Sequence, residues 1–111
     1  MMTVPAFRAR KGSGQPLVVL TAYDAMTTAA AEAAGVDMLL VGDSLGMVEL
    51  GYDSTLRVTM DDMVAPRQAP SGGGAAKRSS IVDMPWLSYH PGADAAVENA
   101  AASCARPVRT R

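Results

Sequence analysis

Two aspartates stand directly after short apolar runs of the chain, where their carboxylates could bind a cation. Asp43 follows residues 37–41 (DMLLV) after one glycine, and Asp83 closes residues 79–83 (SSIVD). If both runs are neighbouring parallel strands, their carboxyl ends meet at the edge of the sheet where α/β proteins bind ligands. Mg²⁺ prefers oxygen ligands and is often held by one or two carboxylates together with substrate. One interpretation is therefore a shared Mg²⁺ site; the alternative is that each aspartate caps the turn that follows it.

The elements that position these aspartates begin with an apolar run at residues 17–22 (LVVLTA), which predicts a buried strand. The alanine-rich residues 25–34 predict a helix. Asp24 stands at its N-cap and Gly35 at the C′ position, where a left-handed residue often ends a helix. Residues 37–41 then predict a second buried strand, so the chain alternates strand and helix.

The same alternation continues to the end of the chain. Residues 42–54 predict a glycine-punctuated loop, and Thr59-Met60-Asp61-Asp62 has the form of a helix start. Residues 79–83 predict a third strand and residues 95–104 a last helix. Strands apolar on both faces, alternating with helices, indicate a parallel sheet covered on both sides. The 111 residues thus supply about three βα units of one α/β domain, whereas a (β/α)₈ barrel has eight.

Three segments depart from this pattern. Residues 1–16 predict an irregular entry segment, and residues 105–111 predict a frayed tail. Residues 64–74 predict a Pro- and Gly-rich linker, because Pro66 and Pro70 are expected to break the helix that begins near Thr59.

Charge and composition exclude several classes of partner. Ten basic and eleven acidic residues give a net charge of -1, which provides no basic surface for nucleic acid and no polybasic membrane anchor. We see no run near the ~18 apolar residues of a membrane span. The single cysteine, Cys104, precludes an internal disulfide framework and fits a reducing, cytoplasmic compartment.

Other reactive side chains are given structural interpretations. His90, the one histidine, lies in a turn-like Tyr-His-Pro-Gly context and is expected in an exposed loop. Trp86 is expected in the core, and Cys104 is interpreted as a small apolar residue of the last helix. Glu49 and Asp53 are expected to face solvent or to stabilise turns.

Three stretches closely resemble ketopantoate hydroxymethyltransferases: residues 20–24 (LTAYD), residues 35–63 (GVDMLLVGDSLGMVELGYDSTLRVTMDDM) and residues 83–89 (DMPWLSY). The resemblance implies a (β/α)₈ barrel of the TIM type, of which this chain is the truncated first part. It implies transfer of a hydroxymethyl group from 5,10-methylenetetrahydrofolate to 3-methyl-2-oxobutanoate (EC 2.1.2.11). The product is 2-dehydropantoate, a precursor of pantothenate and coenzyme A.

The resemblance also assigns roles to residues of this chain. It implies that Asp43 and Asp83 are Mg²⁺ ligands and that Asp43, Ser44 and Asp83 contact the oxo acid. A homo-oligomer is a further implication. In the family a third metal-ligating carboxylate, a substrate-binding Lys and the general-base Glu lie on later strands, so no catalytic residue is assigned here. Residues 64–74 do not match the family pattern, and Arg57 stands where the family usually has Pro.

Three hypotheses therefore stay open at the level of the sequence. The first is an enzyme of the hydroxymethyltransferase type. The second is a non-catalytic remnant of that enzyme, truncated or read out of frame in its divergent segments. The third is a small interaction module that pairs through the open edge of its sheet.

Overall fold

A three-stranded parallel sheet forms the centre of the computed structural model, which describes residues 3–68 and 79–104. The strands are β1 (Val19–Thr21), β2 (Met38–Val41) and β3 (Ser79–Val82), in the order β1-β2-β3. In the register, Leu20 lies beside Leu39 and Leu39 lies beside Ser80. The predicted parallel α/β architecture is confirmed, whereas the closed barrel stays a prediction. Residues 69–74 and 105–111, predicted as linker and tail, lie outside the described residues.

Five helices accompany the sheet in the described part of the chain, together with a 3₁₀ turn at Thr55–Arg57. None of these helices is long and apolar enough to span a lipid bilayer. Their bounds are Val4–Ala9 for α1, Ala25–Ala33 for α2, Leu45–Val48 for α3, Met60–Gln68 for α4 and Ala93–Cys104 for α5.

The ends of α2 form as the sequence predicts. The carboxylate of Asp24 accepts hydrogen bonds from the amides of Met26 (2.7 Å) and Thr27 (2.8 Å) and from the Thr27 hydroxyl (2.6 Å). These bonds, that of the Thr27 hydroxyl first, lower the pKa of Asp24 below its ordinary value. Gly35 adopts a φ of 82°, the left-handed conformation that a glycine at this position permits.

The start of α4 is also as predicted, but its end is not. Thr59 and Asp62 cap each other: the Asp62 carboxylate accepts from the Thr59 amide (2.9 Å), and the Thr59 hydroxyl accepts from the Asp62 amide (3.2 Å). The prediction that Pro66 breaks the helix is wrong, because α4 continues to Gln68. A proline costs a helix one backbone donor, and here the capped first turn has already nucleated the helix. Residues 64–68, predicted as the start of a linker, therefore belong to α4.

Two loops predicted to be irregular contain short helices. The entry segment, residues 1–16, includes α1, whose N-cap Thr3 accepts from the Ala6 amide at 3.3 Å. Pro5 lies in the first turn of α1, where no helical amide bond is required. The glycine-punctuated loop at residues 42–54 includes α3.

The core of the described residues contains two apolar clusters. One cluster joins α2 to the strands and comprises Ala22, Ala31, Val36 and Leu39. The other cluster, here called the α3–α4 core, comprises Val41, Leu45, Val58 and Met63, with Tyr23, Tyr52 and Val82 packed against it. The α3–α4 core leaves no room at Gly46, where a methyl group would come within 2.4 Å of Val58 Cγ2.

The prediction that the first strand is buried is wrong. All three residues of β1 are exposed, with Val19 at 41% and Leu20 at 45% of full accessibility. The physical reason is its place in the sheet, because β1 pairs only with β2 among the described strands. Trp86 also lies outside the core, with 51% of its surface accessible. Burial of an apolar residue depends on which element covers it, and a local pattern does not contain that information.

Candidate functional site

The carboxyl ends of the three strands bring three segments of the chain together. Tyr23 lies two residues beyond β1, the Gly42-Asp43-Ser44 segment follows β2, and Asp83 directly follows β3. The parallel ladder continues to this edge, since the amide of Asp83 donates to the carbonyl of Val41 at 3.0 Å. The pairing of the strands therefore fixes the backbone position from which each of these side chains extends.

The two aspartates singled out by the sequence are brought into contact. The backbone amide of Asp43 donates to Oδ2 of Asp83 at 3.3 Å, and both residues are half-buried. A carboxylate that accepts a backbone hydrogen bond is held in one orientation, because the donor cannot rotate away. Asp83 therefore presents its charge toward the start of the loop that carries Asp43.

The side chain of Ser44 contacts a residue at the end of the first strand rather than its own helix. Its Oγ lies 2.5 Å from the phenolic oxygen of Tyr23, a short hydrogen bond between two hydroxyl groups. Ser44 is the N-cap residue of α3, but its side chain makes no capping bond to that helix. The hydroxyl is exposed and so is available both to Tyr23 and to a molecule bound at this edge.

Gly42 lies at the centre of these oxygens. A methyl group on its α-carbon would lie 3.2 Å from Asp83 Oδ2, 3.3 Å from Ser44 Oγ and 3.7 Å from the Tyr23 hydroxyl. Oxygens from all three strand ends thus surround one small space. Glycine keeps that space open, since any other residue would fill it with a β-carbon.

The chemistry of these donors suits a hard cation. Carboxylate and hydroxyl oxygens are the ligands that Mg²⁺ prefers, and two protein carboxylates are a common number at such sites. In the described ranges 3–68 and 79–104, no group of three or more His, Cys, Asp or Glu side chains comes together in a metal-binding arrangement. Asp43 and Asp83 therefore form a pair of acidic residues rather than a complete set of protein ligands.

Comparison with known proteins shows the family of this chain. The family model described as ketopantoate hydroxymethyltransferase matches residues 1–107. The chain belongs to the ketopantoate hydroxymethyltransferase family. This agrees with the resemblance of residues 20–24, 35–63 and 83–89, which together contain all the strand-end residues described above.

Curated relatives of the same family are similar over most of this chain. An enzyme of Aeropyrum pernix is 59% identical over 93 residues, which are 83% of this chain and 33% of the relative. A relative from Shouchella clausii is 53% identical over 90 residues, which are 81% of this chain and 32% of the relative. One from Bacillus licheniformis is 52% identical over 103 residues, which are 92% of this chain and 36% of the relative. Each is named 3-methyl-2-oxobutanoate hydroxymethyltransferase. The chain spans about a third of the length of these relatives.

The other reactive side chains considered from the sequence lie at the surface. His90 is exposed, with its ring 4.5 Å from that of Trp86 and 4.3 Å from that of Tyr89, centroid to centroid. Glu49 and Asp53 are exposed as predicted, and Asp53 forms a long ion pair with Arg57 at 3.8 Å. Cys104 is exposed on α5.

Sequence reasoning did not place Tyr23 or Gly42 in the site. Tyr23 carried a detectable signal, because it follows the first predicted strand just as Asp43 follows the second. Only the acidic residues after the strands were predicted to bind a ligand, and Tyr23 carries a hydroxyl group instead of a carboxylate. Gly42 carried a weaker signal, since a glycine between a strand and an aspartate is equally typical of a turn.

Proposed function

We propose that this chain binds 3-methyl-2-oxobutanoate together with Mg²⁺ at the strand-end site, through Asp43, Ser44 and Asp83. The observation that carries the proposal is the contact between the two aspartates, in which the Asp43 amide holds the Asp83 carboxylate at 3.3 Å. Membership of the hydroxymethyltransferase family supports the choice of substrate. The name of the relatives, 3-methyl-2-oxobutanoate hydroxymethyltransferase, supports it as well.

Each residue has a chemical task in this proposal. Asp43 and Asp83 would hold the cation, and the hydroxyl of Ser44 would donate a hydrogen bond to an oxygen of the oxo acid. A 2-oxo acid offers a keto and a carboxylate oxygen on adjacent carbons, which suits chelation. A Mg²⁺ ion held by these two residues would supply Lewis-acid polarisation of the keto group. The half-buried position of both aspartates strengthens their attraction for a cation relative to full exposure to water.

The reaction served by this site is, in our proposal, hydroxymethyl transfer from 5,10-methylenetetrahydrofolate to give 2-dehydropantoate. The residues above would bind and orient the acceptor of that transfer. We also propose a cytoplasmic location, on the basis of a single cysteine, and association into a homo-oligomer, on the basis of family resemblance.

Calorimetric titration of the 111-residue chain with 3-methyl-2-oxobutanoate, with and without Mg²⁺, tests this function. We expect binding that requires Mg²⁺ and that weakens in Asp43→Asn and Asp83→Asn. Asp53→Asn is the matched control, because it removes an exposed carboxylate that pairs with Arg57 and is not part of the strand-end site. Titration with 3-methylbutanoate, which lacks the keto oxygen, controls for binding of any carboxylate. Binding that is indifferent to Mg²⁺ and to both aspartate substitutions would contradict the proposal.

A non-catalytic binding protein is the second candidate. It is favoured by the exposed edge strand β1, through which another chain can pair. The two candidates share the strand-end site and differ in turnover, so a growth experiment separates them.

A further inference from the structure

Tyr23 contacts the hydroxyl of Ser44 and lies in a segment that neither the sequence motifs nor the family resemblance assigns to substrate binding. We propose that Tyr23 is a positioning residue: its phenol donates a hydrogen bond to Ser44 Oγ and so turns the Ser44 proton toward the bound oxo acid. This inference rests on the proposed function, and it adds a residue that follows β1 to a site otherwise built from residues that follow β2 and β3.

The direction of the hydrogen bond follows from the chemistry of the ligand. An ionised 2-oxo acid has only acceptor oxygens near its reacting end, so Ser44 can bond to it only as a donor. A serine hydroxyl has one proton and two lone pairs. If that proton goes to the ligand, the hydrogen bond between Ser44 and Tyr23 must use the proton of Tyr23. The order of donation is then Tyr23 to Ser44 to oxo acid, and each bond polarises the next.

The Ser44 hydroxyl is not engaged in a capping bond to its own helix. A serine at an N-cap usually accepts from an amide of the helix that follows, but Ser44 makes no such bond with α3. Its hydroxyl therefore takes its orientation from Tyr23. Without that contact, an exposed hydroxyl would rotate among three staggered positions, and binding would have to fix it in one.

Tyr23 is itself held in place by packing. Its ring lies against the α3–α4 core, so the hydroxyl stands at the end of a supported side chain. Gly42 leaves open the space that this hydroxyl shares with Ser44 and Asp83, where a methyl group would lie 3.2–3.7 Å from all three oxygens. Gly42 thus keeps the space between these three oxygens free of a side chain.

A double-mutant cycle on the full 111-residue chain tests this assignment. Affinity for 3-methyl-2-oxobutanoate at saturating Mg²⁺ is measured for the unmodified chain, Tyr23→Phe, Ser44→Ala and the double variant. Loss of one orienting hydrogen bond is expected to weaken binding about 3- to 10-fold in Tyr23→Phe. In the Ser44→Ala background the same change is expected to cost less than about twofold, since Tyr23 acts only through Ser44.

Tyr52→Phe is the matched control. Tyr52 also packs against the α3–α4 core, so the substitution removes a hydroxyl from the same environment without touching Ser44. Thermal unfolding of every variant separates lost packing from lost orientation, and we expect Tyr23→Phe to unfold within a few degrees of the unmodified chain.

The outcomes distinguish this inference from the function on which it rests. If the unmodified chain binds the oxo acid but Tyr23→Phe binds equally well, the positioning role is wrong and the proposed function stands. Equal losses from Tyr23→Phe with and without Ser44 would also overturn it, because the effect would then be structural. If the unmodified chain does not bind the oxo acid, both the function and the inference are wrong.

Discussion

The amide of Asp43 donates to the carboxylate of Asp83, so the residue that carries one candidate metal ligand also orients the other. This contact spans 40 positions of sequence and depends on the parallel pairing of β2 with β3. Because the donor is a backbone group, substitution of the Asp43 side chain leaves it in place. Asp43 and Asp83 can therefore be tested separately for their effect on a bound cation.

We predict that Mg²⁺ binds weakly to this chain and that the binding depends on both aspartates. Asp43→Asn removes one charge but keeps the amide that orients Asp83, and we expect affinity to fall by about tenfold or more, as expected for losing a unit charge near a cation. Isothermal titration calorimetry with MgCl₂ measures this affinity in the unmodified chain and in the variant. Tight Mg²⁺ binding that survives Asp43→Asn would refute the assignment of these residues as ligands.

The pH dependence of stability is predicted to follow the cap of α2. Hydrogen bonds from Thr27 lower the pKa of Asp24 in the folded chain, so ionised Asp24 favours folding. That contribution is fully present above the unfolded pKa of about 3.9 and is lost as pH falls through the lower folded value. In thermal unfolding followed from pH 7 to pH 2, Asp24→Ala should therefore cost less at the acidic end. Asp53→Ala, at an exposed carboxylate, is the control. A cost of Asp24→Ala that stays constant down to pH 2 would contradict the prediction.

Local signals in the sequence predicted the caps of α2 and α4 and the succession of strands and helices along the chain. Asp24, Gly35 and the Thr59–Asp62 pair act within a few residues, and each element forms where its own residues specify. The same signals failed for the burial of β1 and Trp86, because burial depends on which distant element covers a residue. They failed for α1 because Pro5 stabilises the first turn of a helix as readily as it breaks a later one.

The candidate site divides in the same way. Asp43 and Asp83 could be predicted from their positions after apolar runs, since parallel strands align their carboxyl ends. The hydrogen bond between Tyr23 and Ser44 could not, because it joins side chains 21 positions apart whose orientation is set by packing. The space at Gly42 likewise exists only once three strand ends have been brought together.

Gly46 is predicted to be intolerant of even one added methyl group. In Gly46→Ala the new carbon would lie 2.4 Å from Val58 Cγ2, which is closer than packed atoms approach, and 3.1 Å from Tyr52 Cδ2, which is a tight contact. Overpacking of this kind costs about 1–3 kcal/mol of stability. Chemical denaturation of the variant measures the loss.

A second substitution provides the control for Gly46. Val58→Ala alone leaves a cavity in the α3–α4 core, but combined with Gly46→Ala it removes the atom that clashes. The double variant should therefore be more stable than the sum of the two single losses predicts. Strict additivity would show that the methyl group at position 46 is accommodated elsewhere.

We predict that the chain self-associates through the exposed edge of its sheet. The apolar residues Val18, Val19 and Leu20 are each more than 40% accessible, and β1 pairs only with β2 among the described strands. Exposed edge strands of this kind pair with other chains unless a charge prevents it. Leu20→Lys should reduce association in sedimentation velocity, whereas Met26→Lys, a matched change on the exposed face of α2, should not. A monomer that unfolds in one sharp cooperative transition at all concentrations would contradict this prediction.

The last prediction concerns turnover and separates the enzymatic from the non-catalytic candidate. Hydroxymethyl transfer needs a base for the C3 proton of the oxo acid, a polarised keto group and an oriented one-carbon donor. Asp43, Ser44 and Asp83 are candidates only for holding the cation and the oxo acid. General-base catalysis is typically worth about 10²- to 10⁴-fold, and well-oriented binding contributes roughly 7–11 kcal/mol in favourable cases.

Absence of either contribution would leave too little rate to sustain a biosynthetic pathway. We therefore expect the 111-residue chain, produced alone in a bacterium that lacks ketopantoate hydroxymethyltransferase, not to restore growth without pantothenate. A full-length relative, such as the enzyme of Bacillus licheniformis, is the positive control for the assay. Immunoblotting checks that the chain accumulates in the cells, so that a failure to grow is not due to a lack of the protein. Growth restored by the chain and abolished by Asp83→Ala would show instead that the strand-end site completes a working enzyme, with several copies supplying what one chain does not.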